Sequence, residues 1–255
     1  MVHTKNRIIK KDYQYSHNKI TDIRKKNETS ALVDQVPVYW TKAKDFSIFD
    51  GDGNKWIDMT SGIFATNSGH ANEDIKRAIQ KQLDEDLLFA YQYDHAVRND
   101  FVSKLVDMSP DYLNKAIILS TGSEATDICY KLIKLWAKKN NKKYIICFNG
   151  SYHGRVLGSA FMCGSKSSAT YWSNLVDDDI VFLNFPYDES DVFDPSLLPP
   201  KEQIAAFFLE TYQGWGACMY PENYIKNLYN FARENGALVC FDEVQAGFYR
   251  MEKLY

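Results

Sequence analysis

Four polar or glycine-rich clusters follow apolar runs in this chain, where chemically active side chains gather at the rim of an α/β sheet. The fullest is Leu238-Val239-Cys240-Phe241-Asp242-Glu243-Val244-Gln245. An apolar run ending in an acid reads as a buried parallel strand that delivers a carboxylate to the rim. A carboxylate there can hold the nitrogen of a pyridine ring in its protonated form, and a pyridinium is an electron sink. Ser120-Thr121-Gly122-Ser123-Glu124-Ala125 lies between an apolar run and a helical pattern. Free amides at a helix N-terminus beside a glycine suit a phosphate, although an ordinary Ser/Thr cap reads the same way. Phe148-Asn149-Gly150-Ser151-Tyr152-His153-Gly154-Arg155 offers an aromatic that could stack on a planar ligand. The alternative is a turn with an incidental aromatic, and His153 reads as structural. Leu209-Glu210-Thr211-Tyr212-Gln213-Gly214-Trp215-Gly216-Ala217 puts Glu210 at another strand end, with two glycines permitting close backbone approach. Each cluster alone has a bland explanation; four in succession argue for one site.

The elements that must position them follow from periodicity. Val38 to Trp40 and Phe46 to Met59 read as strands around an Asp-Gly turn. Ile75, Ala78, Ile79 and Leu83 are at helical spacing within 72–88, and a second helix covers 97–106. Strands and helices then alternate, which predicts a mainly parallel sheet. The strands are 116–119, 144–148, 180–183, 204–209 and 237–241; the helices are 126–138, part of 156–161, and 222–234. In the 126–138 helix the inner face is expected to be Ile128, Leu132 and Leu135. The stretch 164–179 reads as a surface excursion or part of a site wall.

Composition narrows the class. The 255 residues carry 45% hydrophobic and 25% charged residues, ordinary for a globular protein. A net charge of −3 gives no case for nucleic acid or an anionic membrane as partner. Five cysteines without a CxxC pair, and five dispersed histidines, read as reduced thiols and no zinc site. The polar start from Met1 to Lys11 has no apolar core of a secretory signal, and no run is long enough to span a membrane. A cytoplasmic location is therefore expected.

Gly-Ser-Glu-Ala, Tyr-His-Gly and Asp-Glu-Val-Gln, in this order and at these intervals, resemble the class-III (ω-type) aminotransferases from about residue 35 to the end. Gly69-His70 after Asp58-Met59-Thr60-Ser61-Gly62 is similar to the family's early loop near the substrate entrance. The resemblance implies an α/β, type-I PLP-dependent transferase fold. It would hold the mostly parallel sheet of the large domain, incomplete, plus the N-terminal part of the small domain. Residues 1–30 would be a polar arm, 31–90 would contribute to the small domain, and 91–255 would form a truncated PLP-binding domain. Pyridoxal 5′-phosphate is the implied cofactor. The implied roles put its phosphate on the amides of Gly122 and Ser123, its ring between Tyr152 and Val244, and its ring nitrogen on Asp242. Gln245 would reach the phenolic oxygen, and Glu210 would support the wall. Phe64 and Trp215 are implied in the substrate pocket.

Two departures stand out. The family commonly reads Gln-Gly-Glu where this chain has Gln213-Gly214-Trp215, which argues against γ-aminobutyrate or ornithine and for a bulkier or less acidic amine. The family's Schiff-base lysine is expected roughly thirty residues after Asp242, beyond Tyr255. The leading expectation is transamination between an amine or amino acid and a 2-oxo acid or aldehyde by a homodimer, with the chain as given inactive. The alternatives are an inactive PLP-fold fragment or binding subunit, and an aminomutase or racemase of the same fold. A nucleotide-binding oxidoreductase is disfavoured by the absent dinucleotide fingerprint.

Overall fold

A computed structural model describes residues 1–10, 23, 26–28, 38–164 and 176–255. Most of the expected arm and most of the 164–179 excursion lie outside the described residues. The chain divides into two compact units, Met1–Ala116 and Ile117–Tyr255. The helix Ala96–Asp107 groups with the first unit.

The first unit is built on a five-stranded antiparallel sheet in the order β1-β2-β5-β4-β3, with β1 Val2–His3, β2 Ile8–Ile9, β3 Trp40–Lys44, β4 Ser47–Asp50 and β5 Lys55–Ile57. Within the expected arm, Val2–His3 and Ile8–Ile9 thus form short strands. β2 pairs with β5 at Ile8 and Lys55, and the Lys10 amide donates to Asn54 Oδ1 at 2.9 Å. The β4–β5 turn forms because the buried Asp50 carboxylate accepts from the Asp52 and Asn54 amides, Asn54 Nδ2 and Trp56 Nε1. Helices α1 (Glu73–Asp84) and α2 (Ala96–Asp107) follow, close to the expected bounds. Asn72 caps α1 by accepting from the Asp74 and Ile75 amides.

The second unit carries a four-stranded sheet in the order β11-β8-β6-β7, parallel throughout: β6 Tyr144–Phe148, β7 Ile180–Leu183, β8 Ile204–Glu210 and β11 Leu238–Asp242. All four strands lie where the alternation places them. Side chains alternate between faces along a strand, so each strand serves two layers. Ile146, Phe148, Phe207, Leu209 and Val239 pack with Tyr224, Leu228 and Ala232 of α5 (Glu222–Glu234). Ile145, Cys147, Ala206, Phe208, Leu238 and Cys240 pack with Ile133 and Ala137 of α3 (Gly122–Lys139). A short helix α4 (Leu157–Phe161) and the small hairpin β9 (Tyr212–Gln213) with β10 (Cys218–Met219) complete the unit.

Two expectations fail here. The run 116–119 forms no strand, and Ile117, Ile118 and Leu119 are exposed. An apolar run becomes a strand only where a neighbour offers a hydrogen-bond ladder, and no described strand does. The buried residues of α3 are Thr126, Ile133 and Ala137, whereas Leu132 and Leu135 are exposed at 50% and 58%. The helix is turned so that small and β-branched side chains, not its leucines, meet the sheet.

Candidate functional site

The strand order fixes where a ligand can sit. From β6 the chain moves outward to β7, then returns to the other side of β6 as β8. That reversal makes the carboxyl ends of β6 and β8 the ligand position of open α/β sheets. The Tyr152-His153-Gly154 and Glu210–Trp215 segments stand at those ends, and β11 adds Asp242 beside Glu210, its registered neighbour. Asp242 and Glu210 share strand parity with Cys240 and Phe208, so both carboxylates face the α3 side.

Glu210, 4% exposed, ties the two loops: its Oε1 accepts from the Tyr152 amide at 3.0 Å and its Oε2 from the Gly214 amide at 3.1 Å. Burial pushes its carboxyl above the ordinary range, against the pull of those two amides. Gln213 Nε2 adds a second tie by donating to the Asn149 carbonyl at 3.1 Å. Asp242 is equally enclosed. Its Oδ1 accepts from the Val244 amide at 3.0 Å, and its Oδ2 lies 2.8 Å from His153 Nδ1. Because an ionised carboxylate only accepts, the ring nitrogen donates. The His153 ring stands edge-on to Phe208 with centroids 4.7 Å apart, and its Nε2 is buried without a partner. His153, read from sequence as merely structural, is the side chain that orients the acid; its place next to Tyr152 was the available signal.

The helix N-terminus is spent in part on its own cap. The Thr121 hydroxyl accepts from the Glu124 amide, and Glu124 Oε2 accepts from the Ser120 and Thr121 amides, a complete capping box. The next two amides, Gly122 and Ser123, have no hydrogen-bond partner among the described residues. The cap is therefore made by Thr121 and Glu124, while the Gly122 and Ser123 amides are left open to a ligand. Thr126 fastens this end to the rim by donating to the His153 carbonyl at 2.5 Å. Gly154, at φ +135°, passes so close that an added Cβ would lie 2.6 Å from Ser123 Oγ. The methyls of Val244 reach within 3.0 Å of where a Gly122 Cβ would sit. Helix start, Tyr-His-Gly loop and acid-bearing strand end thus converge.

The remaining candidates divide. Gln245 reaches back over Gly214, where any Cβ would overlap its Oε1, and that oxygen is buried without a partner. Trp215 projects outward, 76% exposed. Phe64 belongs to the first unit, in a turn whose residues 61–64 all have positive φ. There Asp58 accepts from the Thr60 amide and hydroxyl, the Gly62 amide and His70 Nε2 at 2.7–2.9 Å. Burial would raise Asp58, but these bonds prevail and bring it down to about 2. Among the described residues, no His/Cys/Asp/Glu cluster suits a metal ion, and no helix is long and apolar enough to cross a membrane.

The donor set fits pyridoxal phosphate. Two unpaired amides suit a phosphate, an oriented carboxylate suits a ring nitrogen, and a carboxamide with an orphaned oxygen suits a polar ring substituent.

Comparison with known proteins bears on the chain as a whole. The family model for aminotransferase class-III matches residues 29–255. Acetylornithine aminotransferase of Nitrosomonas europaea is 28% identical over 224 residues, covering 87% of this chain and 56% of that protein. Ornithine aminotransferase of Staphylococcus carnosus is 27% identical over 245 residues, covering 93% and 60%. Among solved structures, taurine:2-oxoglutarate aminotransferase from Bifidobacterium kashiwanohense, in complex with PLP and glutamate, superposes with a TM-score of 0.80 at 20% identity. The match covers 92% of this chain and 57% of that one. A transaminase from the marine bacterium Virgibacillus gives 0.80 at 23%, covering 93% and 58%. These likenesses show a shared α/β fold, and the chain spans little more than half the length of the proteins it matches.

Proposed function

This chain belongs to the class-III aminotransferase family, and from that membership we propose that its rim binds pyridoxal 5′-phosphate for amino transfer. The donor would be an amine or amino acid and the acceptor a 2-oxo acid or aldehyde. The observation that carries the reading is the meeting of the unpaired Gly122 and Ser123 amides with the His153-oriented Asp242 at one sheet rim.

The Gly122 and Ser123 amides, backed by the positive end of the α3 dipole, would hold the phosphate dianion. Asp242 would hold a proton on the ring nitrogen, with His153 fixing which carboxylate oxygen faces the ring. Tyr152 and Val244 would flank the ring, and Gln245 would meet its phenolic oxygen. Glu210 keeps the Tyr152 loop and the Gly214 loop in register and touches neither reactant. When bound, the cofactor supplies an electron sink for charge developing at the carbon that loses a proton. None of the residues gathered at the rim is a lysine, so they bind and orient, and we assign them no covalent bond to the cofactor.

Trp215, in place of the family's common glutamate, favours a bulky or weakly acidic amine donor. Comparing how tightly several amine donors bind the chain loaded with pyridoxal phosphate checks this, and a clear preference for ornithine overturns it. A homodimer is the proposed assembly.

Titration of the purified chain with pyridoxal phosphate tests the site. Binding should be saturable, competed by inorganic phosphate, and weakened about tenfold or more by Asp242→Asn, a loss of roughly 1.4 kcal/mol. Borohydride should fix no pyridoxyl group on the chain. Absence of binding would overturn the cofactor site, and a fixed group on a mapped lysine would overturn the purely non-covalent role.

A further inference from the structure

The C-terminal half of α3 borders a groove that the rim site does not use. Its volume is about 740 Å³, within the range of small-molecule sites. Five lysines and two aspartates line it, in a chain whose net charge is −3. Lys131, Leu135 and Lys138 fall at i, i+4 and i+7 of α3, so one helix face presents a cation, an apolar side chain and a cation. Leu135 and, from α4, Leu157 are 58% and 53% exposed. Phe161 adds a ring whose centroid lies 6.1 Å from that of Tyr130. The charges are unevenly spent. Lys134 is held by Asp177 at 3.1 Å and Asp179 at 2.5 Å, and Lys143 lies 3.6 Å from Asp179. The Tyr130 hydroxyl donates to Asp177, which fixes that wall. Lys142 donates to the carbonyls of Glu202, Ile204 and Asn235. Asp127 accepts from the Gly158 amide at 2.7 Å. Lys131 and Lys138 are exposed, and neither has an ion pair or hydrogen bond among the described residues.

We propose that this groove binds a small amphiphilic anion, a hydrocarbon body ending in a carboxylate. The hydrocarbon covers Leu135, Leu157 and Phe161, and the carboxylate meets the unpaired ammonium groups of Lys131 and Lys138. Removal of apolar surface from water supplies most of the affinity, because exposed ion pairs contribute little. The lysines select the sign of the ligand's charge and steer its approach. Pairing of Lys134 with Asp177 and Asp179 holds the wall in place without a ligand, so the groove needs no rearrangement to be filled. The site does not depend on the cofactor reading. Lys131 lies nine residues beyond Gly122, ~14 Å along the helix, and the groove uses neither the free amides nor Asp242. Loss of one site is therefore separable from loss of the other.

Calorimetric titration of the full chain with decanoate, below its micelle concentration, tests the groove. Binding should saturate near one equivalent, and decylammonium should give no saturable binding. Affinity should fall about fivefold or more in the double variant Lys131→Ala/Lys138→Ala and about tenfold in Leu135→Ser. Pyridoxal phosphate titration of the same variants should be unchanged. A second measurement uses the wild type alone: a diazirine-bearing decanoate analogue, irradiated on the chain and mapped by mass spectrometry, should label the peptides that hold Leu135 and Leu157. Binding that never saturates, equal binding of decylammonium, or full affinity in both variants would overturn the proposal. So would photolabel concentrated on other peptides.

Discussion

Glu210 satisfies two amides from two loops with one carboxylate, so its chemistry is harder to replace than its shape. In Glu210→Gln one oxygen becomes an NH2 facing an N–H donor, leaving a buried donor unpaired. The cost should be about 1–3 kcal/mol, read as a lower urea midpoint with an unchanged slope. Asp58 makes a matching case in the first unit. Its folded pKa of about 2 lies below the ordinary aspartate value of 3.8. Its stabilising contribution should thus be complete above pH ~4 and lost as the pH falls toward 2. The protection of the Gly62 amide against hydrogen exchange, taken relative to its intrinsic rate at each pH, should fall across that window in the wild type. In Asp58→Asn it should already be low at neutral pH, and a pH-independent protection in the wild type would refute the assignment.

At the scale of elements, the close packing of the Tyr-His-Gly loop on the start of α3 makes Gly154 a coupling point. An alanine there would combine a positive φ with a Cβ only 2.6–2.8 Å from Ser123 atoms. Gly154→Ala should lower stability and weaken pyridoxal phosphate binding together, measured by thermal melts and titration. Weakened stability with unchanged binding would place the coupling elsewhere. The strand carrying Glu210 was legible because a strand buried on both faces is written as an unbroken apolar run, and the strand carrying Asp242 is written the same way although it is only partly covered. The rotation of α3 was not legible, since leucines mark a helix as amphipathic without saying which neighbour it meets; Thr126 and Ala137 won the sheet face by being small. The failed strand at 116–119 has the same origin, for pairing partners are not local information. His153 escaped because its partner, Asp242, is distant in sequence and adjacent only across the folded rim.

Across the whole molecule, apolar surface remains uncovered in both units. Ile75, Ile79 and Leu83 of α1, and Ile117, Ile118 and Leu119, are all exposed, and such patches drive association. Sedimentation velocity should show self-association of the chain rising with concentration, reduced by Ile118→Lys; a strictly monomeric wild type would overturn this. The pairing of Asp242 with Glu210 has a further consequence for how such a chain can vary in length. Position along β11 acts as a counter with only two settings. Inserting or deleting a single residue within the strand ahead of Asp242 would send Asp242 toward α5 and bring Phe241 to the ligand side, whereas a change of two would restore the original assignment. Among related chains, therefore, gaps inside this strand should come in even numbers, and a one-residue gap there should mark a protein that no longer uses the acid.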